Sequence, residues 1–148
     1  MDTIIILSEW VKLRNLSMQQ IKERCSISDS QIRQNSSYIK LTNLTALHNP
    51  AQFPGTFYFQ DGKFVLLYVG AGPELDQMDR KTLWDYLGGQ GVKLQSRVEK
   101  RAVHHVYPEL GIAFSADPES VSILEIFPPM TIEQYQATIY RDPGLFIK

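Results

Sequence analysis

Between Val103 and Phe127 the chain reads as three short apolar runs separated by turn-forming residues, its longest stretch of strand character. Gly111 to Ala116 and Val121 to Phe127 flank Asp117-Pro118-Glu119-Ser120. There proline pre-sets a turn dihedral and Asp and Ser bond their own backbone, so the spacing predicts a hairpin. In the second arm Val121, Ile123, Glu125 and Phe127 face one way and Ser122, Leu124 and Ile126 the other. Both faces are mixed and neither is fully wet, which predicts a central strand. Val103 to Tyr107 joins through the turn Pro108-Glu109-Leu110-Gly111, making an antiparallel meander. Asp61-Gly62, flanked by Thr56 to Gln60 and Lys63 to Val69, predicts a second hairpin on a two-residue turn. Alternation of Val92, Leu94, Ser96 and Val98 against Lys93, Gln95 and Arg97 predicts one more strand, followed by a solvated turn or exposed strand face at Glu99-Lys100-Arg101.

Helical periodicity lies outside these segments. From Thr3 to about Leu16 the residues Ile6, Leu7, Trp10, Val11 and Leu13 stripe one face. Ser17 and Gln20 form a capping box for a second helix. Asp79 caps a short helix to Leu87, with Met78 and Leu83 as its staple and Gly88-Gly89 as its stop. Pro128-Pro129 ends the last strand, and Thr131 with Gln134 caps a helix over 131–140 on the stripe Ile132, Tyr135 and Ile139. Leu41 to Gly55 reads as a connector, because Asn43, His48, Asn49, Pro50 and Pro54 interrupt any period. The expected fold is a single α+β domain over 1–148. A helical part covers 1–40, and a mostly antiparallel sheet of about five or six strands covers 56–127 with a short helix near 79–87. The C-terminal helix packs on one face.

Composition removes several functions. With 148 residues, 43% hydrophobic and 21% charged, the chain has the profile of one globular domain. A formal net charge of -1 supplies no global field toward nucleic acid or an anionic membrane. The lone Cys25 cannot form an intramolecular disulfide, which points to a reducing, cytoplasmic setting. Ile4-Ile5-Ile6-Leu7 lacks a positive start and a small-residue cleavage site, so no signal peptide is read. No run of apolar residues is long enough for a spanning helix, and the chain is expected to be soluble, without membrane insertion.

Two local resemblances bear on function. Ile21, Glu23, Arg24, Cys25, Ile27, Ser28 and Ile32 fall where the helix-turn-helix of bacterial DNA-binding proteins places apolar and capping residues. Over 17–40 the chain therefore resembles that motif, with Asp29 to Lys40 as its recognition helix. It departs at Lys22, where a small residue lets the helices approach, and at Ser26, where the turn has Gly. Its recognition helix carries two cations, Arg33 and Lys40, few for phosphate contacts. Farther on, Trp84-Asp85-Tyr86-Leu87-Gly88, followed by strands carrying Tyr107, Leu110-Gly111-Ile112 and Val121, resembles modules of the SmpA/BamE and β-lactamase-inhibitor-protein type. That resemblance covers 78–127 and implies binding and assembly rather than catalysis.

Candidate chemistry is sparse. Val69-Gly70-Ala71-Gly72-Pro73 opens like a dinucleotide fingerprint, but Leu75 takes the third glycine position, a hairpin arm precedes it, and no helix is expected at the glycines. Adjacent His104 and His105 point to opposite faces of a strand, so a metal site would need His48 or carboxylates brought in by folding; no metal and no cofactor are expected. An enzyme would draw on Arg101, His105 and Tyr107, on one face of a strand, as a small hydrolase or nuclease needs, but no nucleophile stands beside a base. The reading favoured by the sequence is a non-enzymatic protein-binding or assembly protein. Its expected contact surface is a sheet edge with Arg101, His105 and Tyr107, joined by the apolar tail Leu145, Phe146 and Ile147, and its partner is another protein rather than nucleic acid.

Overall fold

The computed structural model describes residues 3–25, 32–34, 39–45, 52–70 and 73–140. Its centre is an antiparallel sheet. The six strands expected from the sequence are β3 (Gln52–Gln60), β4 (Lys63–Val69), β5 (Val92–Gln95), β6 (Val103–Tyr107), β7 (Ile112–Ala116) and β8 (Val121–Ile126). Two more, β1 (Ile32–Gln34) and β2 (Ile39–Thr45), extend it, giving the order β1-β2-β3-β4-β8-β7-β6-β5. The two predicted hairpin systems meet where β4 pairs with β8, Tyr68 opposite Glu125. At the β3–β4 turn Asp61 and Gly62 both adopt positive φ, 53° and 77°, as a two-residue hairpin turn requires.

The N-terminal helices are α1 (Thr3–Lys12), which runs into a single 3-10 turn at Leu13–Asn15, and α2 (Met18–Cys25). The Ser17–Gln20 capping box forms as expected, Gln20 N–H donating to Ser17 Oγ at 3.1 Å and Ser17 N–H to Gln20 Oε1 at 2.8 Å. The helical part does not continue to residue 40. Where the helix-turn-helix would place its recognition helix, Ile32–Gln34 and Ile39–Thr45 are strands. Ile32, Ile39 and Leu41 join the core from these strands, and β2 supplies β3 with a partner along its outer side. The connector reading of 41–55 fails for a related reason. The β2–β3 register slips between Leu41 and Leu44 and again before Thr45, and such bulges erase the alternation by which a strand is recognised. Pro54, which cannot donate to a ladder, falls in the slipped region.

Three short helices complete the described fold. A single turn, α3 (Pro73–Asp76), opens directly after the Gly70–Gly72 stretch, where no helix was expected. Asp79 caps α4 (Arg80–Leu87), accepting from Thr82 N–H at 2.9 Å, and Gly88 ends it in the left-handed region. α5 (Ile132–Ala137) carries the expected Thr131–Gln134 capping box. The alternation of the strands divides the core into two clusters. Phe57, Phe59, Leu67, Tyr107, Phe114 and Leu124 pack with Leu7, Trp10, Ile21, Leu75 and Leu83 from α1 to α4. Tyr58, Leu66, Val106 and Ala113, whose side chains have the opposite parity, pack with Phe127 and with Tyr135 and Ile139 of the C-terminal segment. No described helix is long and apolar enough to cross a membrane.

Gly111 is the tightest joint in this arrangement. Its φ is 71°, and a Cβ there would run into the carbonyl oxygen of Phe127 and the guanidinium of Arg14. Gly62 has a similar φ with open space around it. Gly62→Ala is therefore expected to cost about 1 kcal/mol, for the left-handed conformation alone. Gly111→Ala adds overpacking and is expected to cost about 3 kcal/mol or more. Urea unfolding of both variants checks the contrast; equal losses would mean that the Phe127 carbonyl yields freely.

Candidate functional site

The densest chemistry among the described residues is a chain of buried polar side chains on the α5 side of the sheet. Ser96, His104, Ser115 and Glu125 are each 6% exposed or less, and Tyr135 is fully buried. Tyr135 O–H donates to Glu125 Oε1 at 2.5 Å, so its oxygen is left to accept from His104 Nε2 at 2.6 Å. In the neutral imidazole Nδ1 then accepts from Ser115 O–H at 2.7 Å, and Ser115 Oγ accepts from Ser96 O–H at 2.9 Å. Ser96 Oγ in turn accepts from the N–H groups of Val98 and Glu99, which turns the chain out of β5 and ends that strand before the predicted Val98. Every hydrogen bond in this series points the same way, toward the Glu125 carboxylate. Burial, then the neighbouring Glu125 charge, drives the Tyr135 phenol far above its ordinary range. The same two causes raise Tyr68 to about 12.

Serine, histidine and carboxylate here stand in the order of a hydrolase triad, with His104 Nε2 also 3.3 Å from Glu125 Oε1. The surroundings forbid that chemistry. Ser115 has no exposed surface, and the adjacent cavity, lined by His104, Glu125, Arg97 and Tyr140 among others, measures about 10 Å³. That space holds one water and no acyl substrate. The network is a satisfied structural core that fastens α5 to the sheet. Tyr140 extends the fastening, donating its hydroxyl to Gln95 O at 2.7 Å and accepting at its carbonyl from Arg97 at 3.0 Å.

The site residues expected from the sequence are dispersed. His104 and His105 do face opposite sides of β6, but β6 is second from the edge, and β5 is the outer strand. His105 is 2% exposed. It lies between Trp84 and Phe114, with ring centroids 5.3 and 5.0 Å away, and its Nδ1–H donates to Gln90 O at 2.8 Å. Burial lowers its pKa, outweighing the Gln90 bond. Tyr107, 7% exposed, donates to Gly89 O and belongs to the core, with its phenol raised by burial to about 12. Arg101 is exposed in the turn before β6. Leu145, Phe146 and Ile147 lie outside the described residues, as do His48 and the side chains of Cys25, Arg33 and Lys40. Among the described residues no three His, Cys, Asp or Glu side chains converge on one point.

What the strand ends do build is a groove. The loop after α4, the start of β5, the β6–β7 turn and the first turn of α5 enclose about 650 Å³. Leu87, Val92, Leu110, Met130 and Ile132 give it apolar walls, with Tyr107 behind them and Glu109 and Glu133 on the lip. Val92 and Leu110 are 38% and 45% exposed. Gly91 lets the wall form, because at φ 65° a Cβ there would lie 2.6 Å from Val106 O. The sequence marked these residues as strand, turn and cap. Their convergence depends on α5 crossing the sheet, which no local pattern records.

Comparison with known proteins finds no match to any protein family, to any curated protein or to any solved structure.

Two measurements check the buried network and its neighbours. Tyr135→Phe leaves a buried carboxylate and an imidazole N–H without their shared partner, and is expected to lower stability by about 2–3 kcal/mol in urea unfolding. A change below about 0.5 kcal/mol would mean that the carboxylate finds water in the fold. The tyrosines set a pH limit. Tyr58, Tyr68 and Tyr107 stay protonated to about 12 in the fold but ionise near 10 when unfolded, so the folded state binds more protons above pH 10. Stability is complete below pH 10 and declines from there toward 12. Unfolding midpoints followed with phenolate absorbance across that window check the sign.

Proposed function

We propose that the chain is a non-enzymatic protein-binding module, an adaptor or assembly component, that receives a segment of a partner protein in the groove beside β5. The observation that carries this reading is the open apolar groove of about 650 Å³ at the outer end of the sheet. Its volume is that of a ligand site, and exposed Val92 and Leu110 in its walls gain by being covered. Among the described residues β5 is the outer strand next to it, with no partner on its far side, and offers an extended segment a place to lie. The resemblance of 78–127 to SmpA/BamE and β-lactamase-inhibitor-protein modules supports the same reading, since that span supplies Leu87, Val92, Tyr107 and Leu110. The tail Leu145 to Ile147 enters the proposal as a second contact.

The alternatives lose their geometry. DNA binding through 17–40 needs a recognition helix where β1 and β2 stand. A hydrolase using Arg101, His105 and Tyr107 needs side chains open to substrate, and two of the three are in the core. Tyr107 is for the same reason a poor probe of binding, since its removal would cost stability.

Val92→Lys together with Leu110→Lys alters two exposed walls and leaves the core intact. Tagged wild-type chain is expected to capture a stoichiometric protein from nuclease-treated native lysate, and the double variant to lose it. Capture unaffected by the two lysines, or recovery of nucleic acid alone, would overturn the proposal.

A further inference from the structure

A second groove of about 500 Å³ adjoins the first, with Leu87 and Leu110 lining both. Here α1 and the 3-10 turn form one side. The two sections carry opposite charge: Glu109 and Glu133 border the first, Lys12 and Arg14 the second. Neither glutamate meets a cation at ion-pair distance among the described residues. Arg14 spends Nη1 on two carbonyl oxygens, Leu110 at 2.7 Å and Phe127 at 3.3 Å, so the guanidinium is fixed in position, with no carboxylate at ion-pair distance among the described residues. Burial lowers its pKa, a sign that its charge is incompletely solvated. Lys12 has an exposed contact with Glu9 at 3.3 Å on its own helix, a pair of the kind that holds weakly.

We propose that the two adjoining grooves together bind an extended segment of a partner protein with a basic residue, an apolar run that crosses Leu87 and Leu110, and an acidic residue. The basic end lies against Glu109 and Glu133, and the acidic end against Arg14 and Lys12. This deepens the protein-binding reading above and rests on it. The charge pattern selects this occupant over others. A fatty acid would satisfy the cationic section and leave the acidic one unmatched, and a nucleic acid would be repelled by Glu109 and Glu133. Fixed charges at both ends of an apolar trough also give the bound segment one direction, since the reversed order sets like charges together.

Full-length chain is titrated by fluorescence anisotropy with end-blocked peptide pools whose central run is drawn from Ile, Leu, Val and Phe. The flanks are Lys then Asp, Asp then Lys, Lys at both ends, Asp at both ends, or Ser at both ends. One mixed order is expected to bind about tenfold tighter than the Ser-flanked pool and than either single-sign pool, with the advantage shrinking as salt rises. In the variant Lys12→Glu with Glu133→Lys, both exposed side chains, the preference between the two mixed orders is expected to vanish, because the retained Glu109 and Arg14 are each offset by the introduced charge beside them. Equal affinity for all flanks would overturn the charge proposal and leave the groove reading standing. Preference for a single-sign pool would overturn it too, and no binding by any pool, the Ser-flanked one included, would overturn the groove reading itself.

Discussion

Glu125 stands on a strand in the interior of the sheet, 2% exposed, opposite Tyr68 on one side and Ala113 on the other. A carboxylate there must be met inside the protein or lose several kcal/mol. It is met by Tyr135, and Tyr135 is held by His104, which is held in turn by Ser115, itself held by Ser96. The requirement reaches outward from there. Tyr135 lies on α5, so satisfying the carboxylate fixes where α5 crosses the sheet. Ser96 ends β5 and bends the chain away, so the same series sets the length of the outer strand. Arg97 and Tyr140 close the arrangement at its exposed end.

The groove is a by-product of that anchoring. Its inner wall is the start of α5, where Met130 and Ile132 precede the buried Tyr135, and its floor is the ends of β5 and β6. A helix free to shift would open or close this space, whereas a helix fastened through a directed hydrogen-bond series keeps one shape. On the other cluster Arg14 does comparable work, tying α1's continuation to the β6–β7 turn and to the end of β8 through two carbonyls. Among the described residues His104, His105, Ser115 and Glu125 are buried and held by hydrogen bonds within the fold, while Val92, Leu110, Glu109 and Glu133 are exposed.

Much of the architecture was legible in the sequence because it is local. Asp61-Gly62, Asp117 to Ser120, and the capping pairs Ser17–Gln20 and Thr131–Gln134 each bind within three or four residues, and all form as their patterns imply. β1 and β2 were not legible. Their three apolar core residues sit among polar ones at spacings that also suit a helix, and the bulges against β3 hide the period. For the site, the parity of His104 and His105 was readable, but burial was not. His105 and Tyr107 looked like an edge because nothing in Val103 to Tyr107 records that β5 covers it on one side and that α4 lays Trp84 over His105.

By itself the sequence determined the α+β class, the antiparallel hairpins, the helix caps and the alternation that sends neighbouring side chains to opposite faces, since each depends on backbone geometry over a few residues. Tertiary structure decided which faces are covered, which residues meet across the sheet, and so which chemistry is sealed and which is offered. Glu125 and Tyr135 are ten positions apart and His104 is twenty-one before Glu125. Their convergence is a matter of free energy: a buried charge and its partners are stable together and costly apart, a condition that no local pattern along the chain expresses.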